Sequence, residues 1–241
     1  MVGSVAIIPA RSGSKRVPHK NIRLFRGHPL IAYSIATALA TGIFDRVLVS
    51  TDSEQTAEIA RKYGAEVPGL RPAELAEDSA HDIGFVTHAM GEWVEGEVDQ
   101  LWGIIRPTSP LRSAITLRDA HQRLLGADWA DSVRSLRPVT EHPGKMWRID
   151  SETDEAQTLL DQPGAFNGPM NQLEKVYIQA SSFEIVRRGA VTRYDSIAGR
   201  RVLGYVMPDN ESIDINSEDD WVTLEKVVNL NPHLLPTIGA L

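Results

Sequence analysis

The 241-residue sequence predicts an α/β protein in which a doubly wound, mostly parallel sheet carries helices on both faces. Apolar-rich runs at 5–8, 46–51 and 101–105 are typical of buried parallel strands. Stretches with apolar residues at helical spacing separate these runs, so strand and helix alternate along the chain. Ligands of such sheets bind at the carboxyl ends of the strands, near the point where the strand order reverses. Functional residues are therefore expected in the loops that follow the strands.

The first half of the chain supplies helices with recognisable ends. A helix is predicted to follow Pro29 and to close at Gly42, because a left-handed residue ends many helices. Asp52 is predicted to cap the next helix, with Gln55 as its capping-box partner, and that helix extends to Tyr63. The other elements predicted in this half are a helix over 81–94, the strand over 101–105, a helix over 115–125 capped by Ser113, and a strand over 130–136.

The second half contains an excursion from the core. Apolar periodicity is weak from Arg137 to Lys175 and prolines punctuate the segment, which predicts a protruding arm over 138–175. The α/β core then comprises 1–137 and 176–241. In the returning part of the chain we expect strands at 176–178 and 202–207, followed by a closing helix with a capping box from Ser217 to Asp220.

Composition excludes several classes of protein. Hydrophobic content of 42% and charged content of 24% are ordinary for a globular domain, so disorder is not expected. The sequence contains no cysteine, which excludes disulfides and thiolate metal sites. No apolar run has the length of a membrane span or of a signal-peptide core, and this predicts a cytoplasmic protein without a membrane partner.

Positive charge is concentrated at the start of the chain. The first 26 residues carry six basic side chains and no acidic one, although the net charge of the whole chain is -7. Because 19 basic side chains face 32 acidic ones in the remainder, nucleic acid is not an expected partner. Four of the six lie in a turn rich in Ser and Gly after the first strand: Arg11, Lys15, Arg16 and Lys20. Backbone N–H groups can approach an anion closely in such a turn, so a small polyphosphate is the predicted ligand.

The basic turn is not a Walker A motif, because Lys15 lies between Ser14 and Arg16 and does not follow a glycine. A charged turn can also be a solvated surface without a ligand. Its position directly after a buried strand, with Pro9 and Pro18 on either side, favours a preorganised anion site.

Two further loops carry polar residues suited to anions or metals. Arg106 and Arg112 bracket a second anion-binding loop after the strand over 101–105. Asp214 and Asn216 can present oxygen ligands on one side of an extended backbone to a hard cation such as Mg²⁺, although an Asx turn before the helix is the alternative. The histidines show no zinc-binding spacing, and neither G-x-S-x-G nor G-x-G-x-x-G occurs.

Six separated motifs, in order along nearly the whole chain, resemble the CMP-sialic acid synthetase (acylneuraminate cytidylyltransferase) family. They are Ile8–Lys15, Lys20–Ile22, Val49–Asp52, Leu70–Ala76, Pro107–Arg112 and Ser212–Ile215. The resemblance implies transfer of CMP from CTP to the anomeric oxygen of a nine-carbon 2-keto sugar acid, with release of pyrophosphate. It also implies Mg²⁺, a Rossmann-like sheet of the nucleotide-diphospho-sugar transferase type, and a homodimer built with an exchanged arm.

The resemblance implies roles for individual residues as well. The residues expected to take part in catalysis are Arg11, Lys15, Lys20 and Asp214, and the expected metal ligands are Asp214 and Asn216. The expected nucleotide-binding residues are Ala10, Arg11, Ser14, Lys15, Asn21, Arg71, Ala80 and Asp82. The expected sugar-binding residues are Thr108, Ser109, Gln172 and Lys145, the last reaching the site from the arm of a partner subunit. Positive charge aimed at the leaving pyrophosphate would stabilise the transition state of such a transfer.

The chain departs from the family pattern around the sugar. Arg106 stands where the family often has glutamine, and the arginine expected just before the Gln-Leu pair is replaced by Met170–Asn171. The usual Asn-Gly further on reads Ala180–Ser181. We hypothesise that Arg106 binds the sugar carboxylate in place of the missing arginine. The substrate is then a nonulosonate other than N-acetylneuraminate, such as a legionaminate-like or pseudaminate-like acid.

Two other departures leave alternatives open. Asn216 replaces the second aspartate of the metal pair and brings no charge, so an inactive CTP-binding homologue is one alternative. Asp82 stands where the family usually has a small polar residue. A transferase acting on 3-deoxy-octulosonate is the second enzymatic alternative. The sequence assigns no general base.

Overall fold

The structure is a computed structural model that describes residues 3–160 and 164–239. Its strands are β1 (Ser4–Pro9), β2 (Leu24–Phe25), β3 (His28–Pro29), β4 (Arg46–Ser50), β5 (Leu101–Ile105), β6 (Ser132–Pro138), β7 (Trp147–Ile149), β8 (Ala156–Thr158), β9 (Tyr177–Arg187) and β10 (Val202–Val206). Its helices are α1 (Leu30–Thr41), α2 (Glu54–Lys62), α3 (Asp82–Glu92), α4 (Ala114–Leu125), α5 (Arg188–Tyr194) and α6 (Glu218–Leu230). Short 3-10 helices lie at 20–22, 73–75, 143–145, 170–172, 209–211 and 232–234.

The central sheet has six strands in the order β10-β6-β9-β5-β1-β4. Strand β1 pairs in parallel with both β4 and β5, and β10 pairs in parallel with β6. Only β9 runs antiparallel, between β5 and β6. The chain leaves β1 toward β4 on one side and then returns to β5 on the other, so the strand order reverses at β1. The predicted mostly parallel sheet is confirmed, and the basic turn follows its switch-point strand.

Helices cover both faces of the sheet because buried side chains alternate along the strands. In β1, Ala6 and Ile8 belong to a core on the face covered by α1, α2 and α4. Val5 and Ile7 belong to the core on the opposite face, which α3 and α5 cover. The doubly wound arrangement predicted from the alternation of apolar runs is therefore confirmed. A third apolar cluster packs α6 against α1 and the segment that follows the basic turn.

Several predicted helix ends are confirmed. Gly42 ends α1 with φ 65, in the left-handed region that favours glycine. Ser113 caps α4 by accepting a hydrogen bond from the Thr116 N–H at 3.1 Å. Ser217 and Asp220 form the predicted reciprocal capping box at the start of α6.

The predicted cap of α2 was wrong by one residue. Ser53, not Asp52, accepts the hydrogen bond from the Thr56 N–H, at 3.3 Å. The Asp52 carboxylate instead accepts hydrogen bonds from the backbone N–H and the hydroxyl of Ser12, at 2.8 and 2.6 Å. A capping residue and a tertiary acceptor need the same side chain chemistry, so the local pattern did not distinguish them.

The strand predicted over 176–178 was too short. Strand β9 has 11 residues and occupies the centre of the sheet. Polar residues in its second half interrupt the apolar pattern by which strands were predicted. Two of them, Ser182 and Glu184, are nevertheless buried. Their hydrogen-bonding groups are matched by Ser135 and Arg106 on the neighbouring strands or loops. Buried polar residues with partners are compatible with a central strand.

The segment predicted as an arm carries an antiparallel hairpin of β7 and β8 and lies between β6 and β9. Residues 161–163 of this segment are outside the described part of the chain. Large apolar side chains are exposed along the segment and at the start of β9: Met146, Trp147, Ile149, Leu160, Phe166, Met170, Tyr177 and Ile178. Among the described residues, no helix combines the length and apolar character needed to cross a membrane.

Candidate active site

A cleft of about 570 Å³ opens at the carboxyl ends of β1 and β5. Its lining is Pro9, Arg11, Ser14, Lys15, Arg16, Val17, Lys20, Asn21, Arg71, Asp78, Asp82, Phe85, Arg106, Thr108, Ser181, Asp214 and Asn216. Six of these residues are cationic and three are acidic. Eleven of the predicted site residues therefore lie together, in a cleft with an excess of positive charge: Arg11, Ser14, Lys15, Lys20, Asn21, Arg71, Asp82, Arg106, Thr108, Asp214 and Asn216.

The basic turn converges on a single carboxylate. An Nη atom of Arg11 lies 2.8 Å from a carboxylate oxygen of Asp78, and Lys15 Nζ contacts the other oxygen. The hydrogen bond from Lys15, with the charge of Arg11, holds the pKa of Asp78 below its ordinary value. Arg11 also donates to the carbonyl of Glu77 at 2.9 Å. The two cations are thus arranged to hold one anionic group between them.

The turn is held by side-chain hydrogen bonds near both of its ends. Asp52, after β4, holds Ser12 by the two hydrogen bonds described above. Partial burial opposes the charged form, but the bonds from Ser12 and the charge of Arg71 hold the pKa of Asp52 below its ordinary value. Asn21 closes the turn by donating from Nδ2 to the Arg11 carbonyl at 3.1 Å. These contacts support the interpretation of a preorganised turn.

Lys20 joins the basic turn to the segment before α6. Its Nζ donates to the carbonyl of Ile215 at 2.7 Å. Burial lowers the pKa of Lys20, while the carboxylate of Asp214 acts in the opposite direction. The ammonium group therefore lies at the boundary between the basic turn and the predicted metal pair.

Arg71 forms one wall of the cleft and is only 5% exposed. Its Nε donates to the Ser50 hydroxyl at 2.9 Å and its Nη2 to the Ser50 carbonyl at 2.6 Å, at the end of β4. The guanidinium lies 4.8 Å from the ring centroid of Phe85 in α3. Burial lowers the pKa of Arg71 to about 10, so the side chain stays charged at neutral pH. Arg71 and Phe85 together provide a flat, partly apolar surface.

Arg106 is engaged by two carboxylates that sequence reasoning did not pair with it. Its Nη2 lies 2.7 Å from Asp82 and 3.2 Å from Glu184, and Glu184 is 1% exposed. Burial opposes the charge of Arg106, but Glu184 and Asp82 raise its pKa above the ordinary value. Both contacts are made by Nη2, whereas the buried Nε has no hydrogen-bond partner among the described residues. Two residues that depart from the family pattern, Asp82 and Arg106, are therefore parts of one ion-paired cluster.

Asp214 and Asn216 lie side by side at the other edge of the cleft. The Asn216 amide donates to Oδ2 of Asp214 at 2.8 Å, and the backbone N–H of Ile215 between them donates to the Thr108 carbonyl at 2.9 Å. Oδ1 of Asp214 is buried without a hydrogen-bond partner in the described part of the chain. Such an orphaned carboxylate oxygen fits a hard cation, with the side-chain carbonyl of Asn216 as a second ligand. Residues 3–160 and 164–239 contain no group of three or more acidic or histidine side chains able to hold a metal.

Five predicted site residues lie outside the cleft lining. Ser109 is buried, with its hydroxyl unpartnered among the described residues, and Ala10 is buried behind the turn. Lys145 donates to the carbonyl of Gly168 at 2.6 Å within the arm, and Gln172 is exposed in a short 3-10 helix of the arm. Ala80 lies just before α3 without lining the cleft. The predicted roles of these residues stay predictions.

Sequence reasoning missed Asp78, Phe85 and Glu184 as parts of the site. Asp78 and Phe85 flank the predicted cytosine-pocket residues Ala80 and Asp82, so their position near a motif was an available signal. Glu184 has no such signal, because it lies in a strand whose apolar pattern is interrupted. An isolated acid in a strand that is otherwise buried is the feature that could have identified it.

The sequence matches known proteins over nearly its whole length. A family model described as cytidylyltransferase matches residues 5–84. A CMP-N,N'-diacetyllegionaminic acid synthase of Legionella pneumophila is 35% identical over 237 residues, which is 96% of this chain and 98% of that protein. The chain belongs to the nonulosonate cytidylyltransferase family. It is thus a CTP-dependent nucleotidyltransferase, of the class that acts on nonulosonate sugars.

Other members of this family and the fold agree with that assignment. A pseudaminic acid cytidylyltransferase of Campylobacter jejuni is 32% identical over 220 residues, covering 90% of this chain and 92% of the relative. The structure of a CMP:2-keto-3-deoxy-manno-octonic acid synthetase complexed with CTP matches with a TM-score of 0.68 over 97% of this chain and 100% of that one, at 16% identity. A 4-diphosphocytidyl-2C-methyl-D-erythritol synthase of Anaerococcus prevotii matches with a TM-score of 0.65 over 95% of this chain and 99% of that one, at 12% identity. The two structures have the same fold as this nonulosonate cytidylyltransferase.

Proposed function

We propose that this cytidylyltransferase transfers CMP from CTP to the anomeric oxygen of a nonulosonate other than N-acetylneuraminate, releasing pyrophosphate. The observation that carries the proposal is the convergence of Arg11 and Lys15 on one carboxylate at the end of the switch-point strand. A triphosphate offers the same two cations several anionic oxygens and would displace Asp78. The proposed reaction is an in-line displacement at the α-phosphate, in which charge accumulates on the leaving pyrophosphate.

The basic turn is proposed to stabilise that developing charge. Arg11 supplies a planar guanidinium suited to two phosphate oxygens, and Lys15 supplies a point charge. Both lie in a turn that Asp52 and Asn21 hold in place, so the electrostatic stabilisation needs little rearrangement during the reaction. Lys20 brings a third charge to the side of the cleft near Asp214.

Asp214 and Asn216 are proposed to hold Mg²⁺. The unpartnered Oδ1 of Asp214 and the carboxamide of Asn216 supply oxygen ligands, and substrate phosphates commonly complete such sites. The ion, when bound, would neutralise charge on the phosphates. Because Asn216 is neutral, the protein itself contributes one negative charge to the pair, so a higher Mg²⁺ concentration is expected for full activity.

The base of CTP is proposed to bind between Arg71, Phe85 and Asp82. The apolar ring of Phe85 and the planar guanidinium of the buried Arg71 suit a flat heterocycle, and Arg71 retains its charge for acceptors on the cytosine ring. Asp82 is tied to Arg106, which places this ion pair at the junction of the base and sugar regions. Ala80, in the segment before α3, is proposed to contact the base.

Arg106 is proposed to bind the sugar carboxylate, with Thr108 and Ser109 in the same loop. The guanidinium uses one nitrogen for both Asp82 and Glu184 and keeps other donors for a substrate anion. The replacement of the expected arginine by Met170–Asn171 removes the usual cation from the arm. A legionaminate-like acid is the first candidate, because the legionaminic acid synthase is a similar relative over nearly the full chain.

A homodimer with exchanged arms is proposed to complete the site. Lys145 and Gln172 lie outside the cleft of their own chain, so they reach a sugar only if the arm serves another subunit. The arm and the start of β9 expose a row of large apolar side chains, among them Trp147, Ile149 and Tyr177. Apolar surface of this kind is typical of an interface between subunits.

The decisive experiment measures pyrophosphate release from CTP and Mg²⁺ with a panel of 2-keto sugar acids. Turnover with legionaminate or pseudaminate, at a kcat/KM above that for N-acetylneuraminate, would support the proposal. Preference for N-acetylneuraminate or for 3-deoxy-octulosonate would contradict it and name another acceptor. If no sugar acid of the panel gives pyrophosphate release, while calorimetry still detects CTP binding, the protein is an inactive homologue. Asn216→Asp would then test whether a second carboxylate restores turnover.

A further inference from the structure

Ser181 has a backbone conformation that a serine rarely adopts in a strand. Its φ is 51, in the left-handed region, although it lies within β9. Four other non-glycine residues with positive φ occur in the described part of the chain, and they lie at turns or helix ends: His19, Arg26, Asp154 and Asp195. A non-glycine residue in this region is strained, and such strain tends to persist where it serves a site.

The conformation of Ser181 belongs to a bulge in β9. Arg134 pairs with Glu184, but Leu136 pairs with Gln179, so residues 180–183 of β9 lie opposite Ser135 alone. The Ser135 hydroxyl donates to the Phe183 carbonyl at 2.8 Å and accepts from the Phe183 N–H at 3.1 Å. Bulges next to active sites commonly redirect a side chain.

The bulge is also held from its other side. The carbonyl of Ser182 accepts hydrogen bonds from the backbone N–H of Arg106 at 3.1 Å and from Nη1 of the buried Arg112 at 2.7 Å. Nη1 of Arg112 lies 3.2 Å from the Ser182 hydroxyl as well. Ser182, the residue after Ser181, is therefore held by both ends of the loop that follows β5, and this supplies the interactions that a strained residue needs.

The sheet order places Ser181 on the acceptor side of the cleft. Ser181 lines the cleft from β9, which is separated by β5 from β1 and β4. The loops after β1 and β4 carry Arg11 and Arg71, the residues proposed for the triphosphate and the base. Ser181 shares its side of the cleft with Arg106, whose backbone is bonded to the next residue in β9. The group that meets Ser181 is then the sugar acid, not the nucleotide.

We propose that Ser181 is a specificity-determining residue that contacts a polar substituent of the acceptor sugar. The inference rests on the proposed function, because it assigns one side of the cleft to the acceptor. The bulge holds the Ser181 side chain at the cleft wall, where a glycine would relieve the strain but present no side chain. The hydroxyl, as donor and acceptor, suits a sugar hydroxyl or an acylamino group.

The test compares the Tm and the steady-state kinetics of Ser181→Gly and Ser181→Ala with those of the wild-type protein. All three proteins are used in the oligomeric state in which they are isolated. Ser181→Gly is expected to raise Tm by about 2–4 °C, because glycine adopts positive φ without strain. Both variants are expected to raise the sugar KM by about 3- to 10-fold, as loss of one hydrogen bond predicts, with the CTP KM changed less than about 2-fold. The ratio of kcat/KM between legionaminate and N-acetylneuraminate is expected to fall as well.

Asp195→Gly is the matched control. Asp195 has φ 47 at the end of α5 and lies away from the cleft, so its variant should gain stability without any kinetic change. Unchanged sugar KM and unchanged sugar preference in both Ser181 variants would overturn the inference and leave the bulge with a structural role. That result differs from failure of the proposed function, in which the wild-type protein itself turns over no nonulosonate.

Discussion

At the scale of single residues, the buried arginines of the cleft have different electrostatic environments. Burial lowers the pKa of Arg71 to about 10, and the Ser50 hydroxyl and carbonyl are its hydrogen-bond acceptors at the end of β4. Arg106 is also buried, but Glu184 and Asp82 raise its pKa. Replacement of Arg106 leaves Glu184 in the core without its main partner, which is costly for a buried charge. A variant of Arg106 must therefore keep a hydrogen-bond donor.

Arg106→Gln meets this requirement and tests sugar recognition. The amide can still donate toward Glu184, but the charge available to a substrate carboxylate is lost. We expect the sugar KM to rise at least about 10-fold and the CTP KM to change less than about 2-fold. Steady-state kinetics with each substrate varied in turn measures both.

Arg134→Gln is the matched control for that variant. Arg134 lies 3.9 Å from Glu184 but does not line the cleft. Its replacement should affect stability without raising the sugar KM. Equal effects of the two variants on the sugar KM would mean that Arg106 acts only through Glu184.

Asp214 is predicted to dominate the metal pair because it carries the only charge of the two residues. Asp214→Asn is expected to lower kcat/KM by at least about 100-fold and to weaken Mg²⁺ binding measured by calorimetry in the presence of CTP. Asp219→Asn, on the exposed first turn of α6, is the control. Retention of activity and of Mg²⁺ binding by Asp214→Asn would exclude the proposed metal pair.

The interaction of Asp52 with Ser12 gives a pH-dependent prediction. The pKa of Asp52 is lowered in the folded state, so its contribution to stability is present above the unfolded value of about 3.9 and is lost as pH falls through the lower folded value. Asp52→Asn is expected to raise the CTP KM by about 3- to 10-fold at pH 7, because the basic turn loses its anchor.

Thermal unfolding across pH checks the sign. The Tm of Asp52→Asn should lie about 1–3 °C below that of the wild type at pH 7. The gap should narrow as pH falls below about 3.9 and should close only below the lowered pKa of folded Asp52, where the wild-type carboxylate is protonated too. Ser12→Ala, which removes one of the two donors, should give part of the kinetic effect. A gap that widens toward low pH would contradict the assignment.

At the scale of secondary-structure elements, the capping box of α6 also holds Asn216, a member of the proposed metal pair. Asp220 accepts hydrogen bonds from the backbone N–H groups of Asn216 and Ser217, each at 2.8 Å. The start of the helix and the segment from Asp214 are therefore one hydrogen-bonded unit. The hydrogen bonds from Asn216 and Ser217 lower the pKa of Asp220 against the opposing effect of burial.

Ser217→Ala is predicted to disturb both helix and site. Loss of the cap should cost about 1 kcal/mol in the free energy of unfolding, measured by urea denaturation. It should also raise the Mg²⁺ concentration needed for half-maximal activity, because the metal pair is no longer fixed. Ser217→Thr should restore both properties. An effect on stability with unchanged Mg²⁺ dependence would show that the cap and the pair are independent.

Elements differed in how far local patterns predicted them. The end of α1 at Gly42, the cap of α4 and the capping box of α6 were predicted correctly, because each depends on residues within one turn of the helix. The cap of α2 was misassigned because Asp52 serves a distant partner. Most of β9 was missed because its buried polar residues are satisfied by partners on other strands or loops. The apolar periodicity of the sequence does not show such partners.

At the scale of the whole molecule, the proposed homodimer can be tested by complementation. Lys145→Ala removes a proposed arm contact, and Asp214→Asn removes a core residue. If arms are exchanged, a mixed dimer contains one site in which both groups are intact. Subunit exchange between the two inactive variants should then recover about one quarter of the wild-type activity, as random pairing of two subunits predicts.

Light scattering supplies the independent measurement for that prediction. A mass of twice 26.6 kDa is expected for the exchanged dimer. A protein that sediments and scatters as a monomer, or verified mixed dimers without recovered activity, would contradict the exchanged arm. A double variant carrying both changes is the control, because it should recover nothing on mixing with itself.

The sequence by itself determined the doubly wound α/β core, most helix ends and the concentration of basic side chains in the turn after β1. These features depend on residues that are neighbours along the chain, and their apolar spacing or capping chemistry is visible there. The tertiary structure decided which charged groups pair. Arg106 contacts Asp82, which is 24 residues away in the sequence, and Glu184, which is 78 residues away. Asp78 forms ion pairs with Arg11 and Lys15 of the basic turn. It also decided the strained position of Ser181 at the cleft wall. Such pairings depend on the path of the whole chain, because side chains far apart in sequence become partners only when the strands that carry them are adjacent.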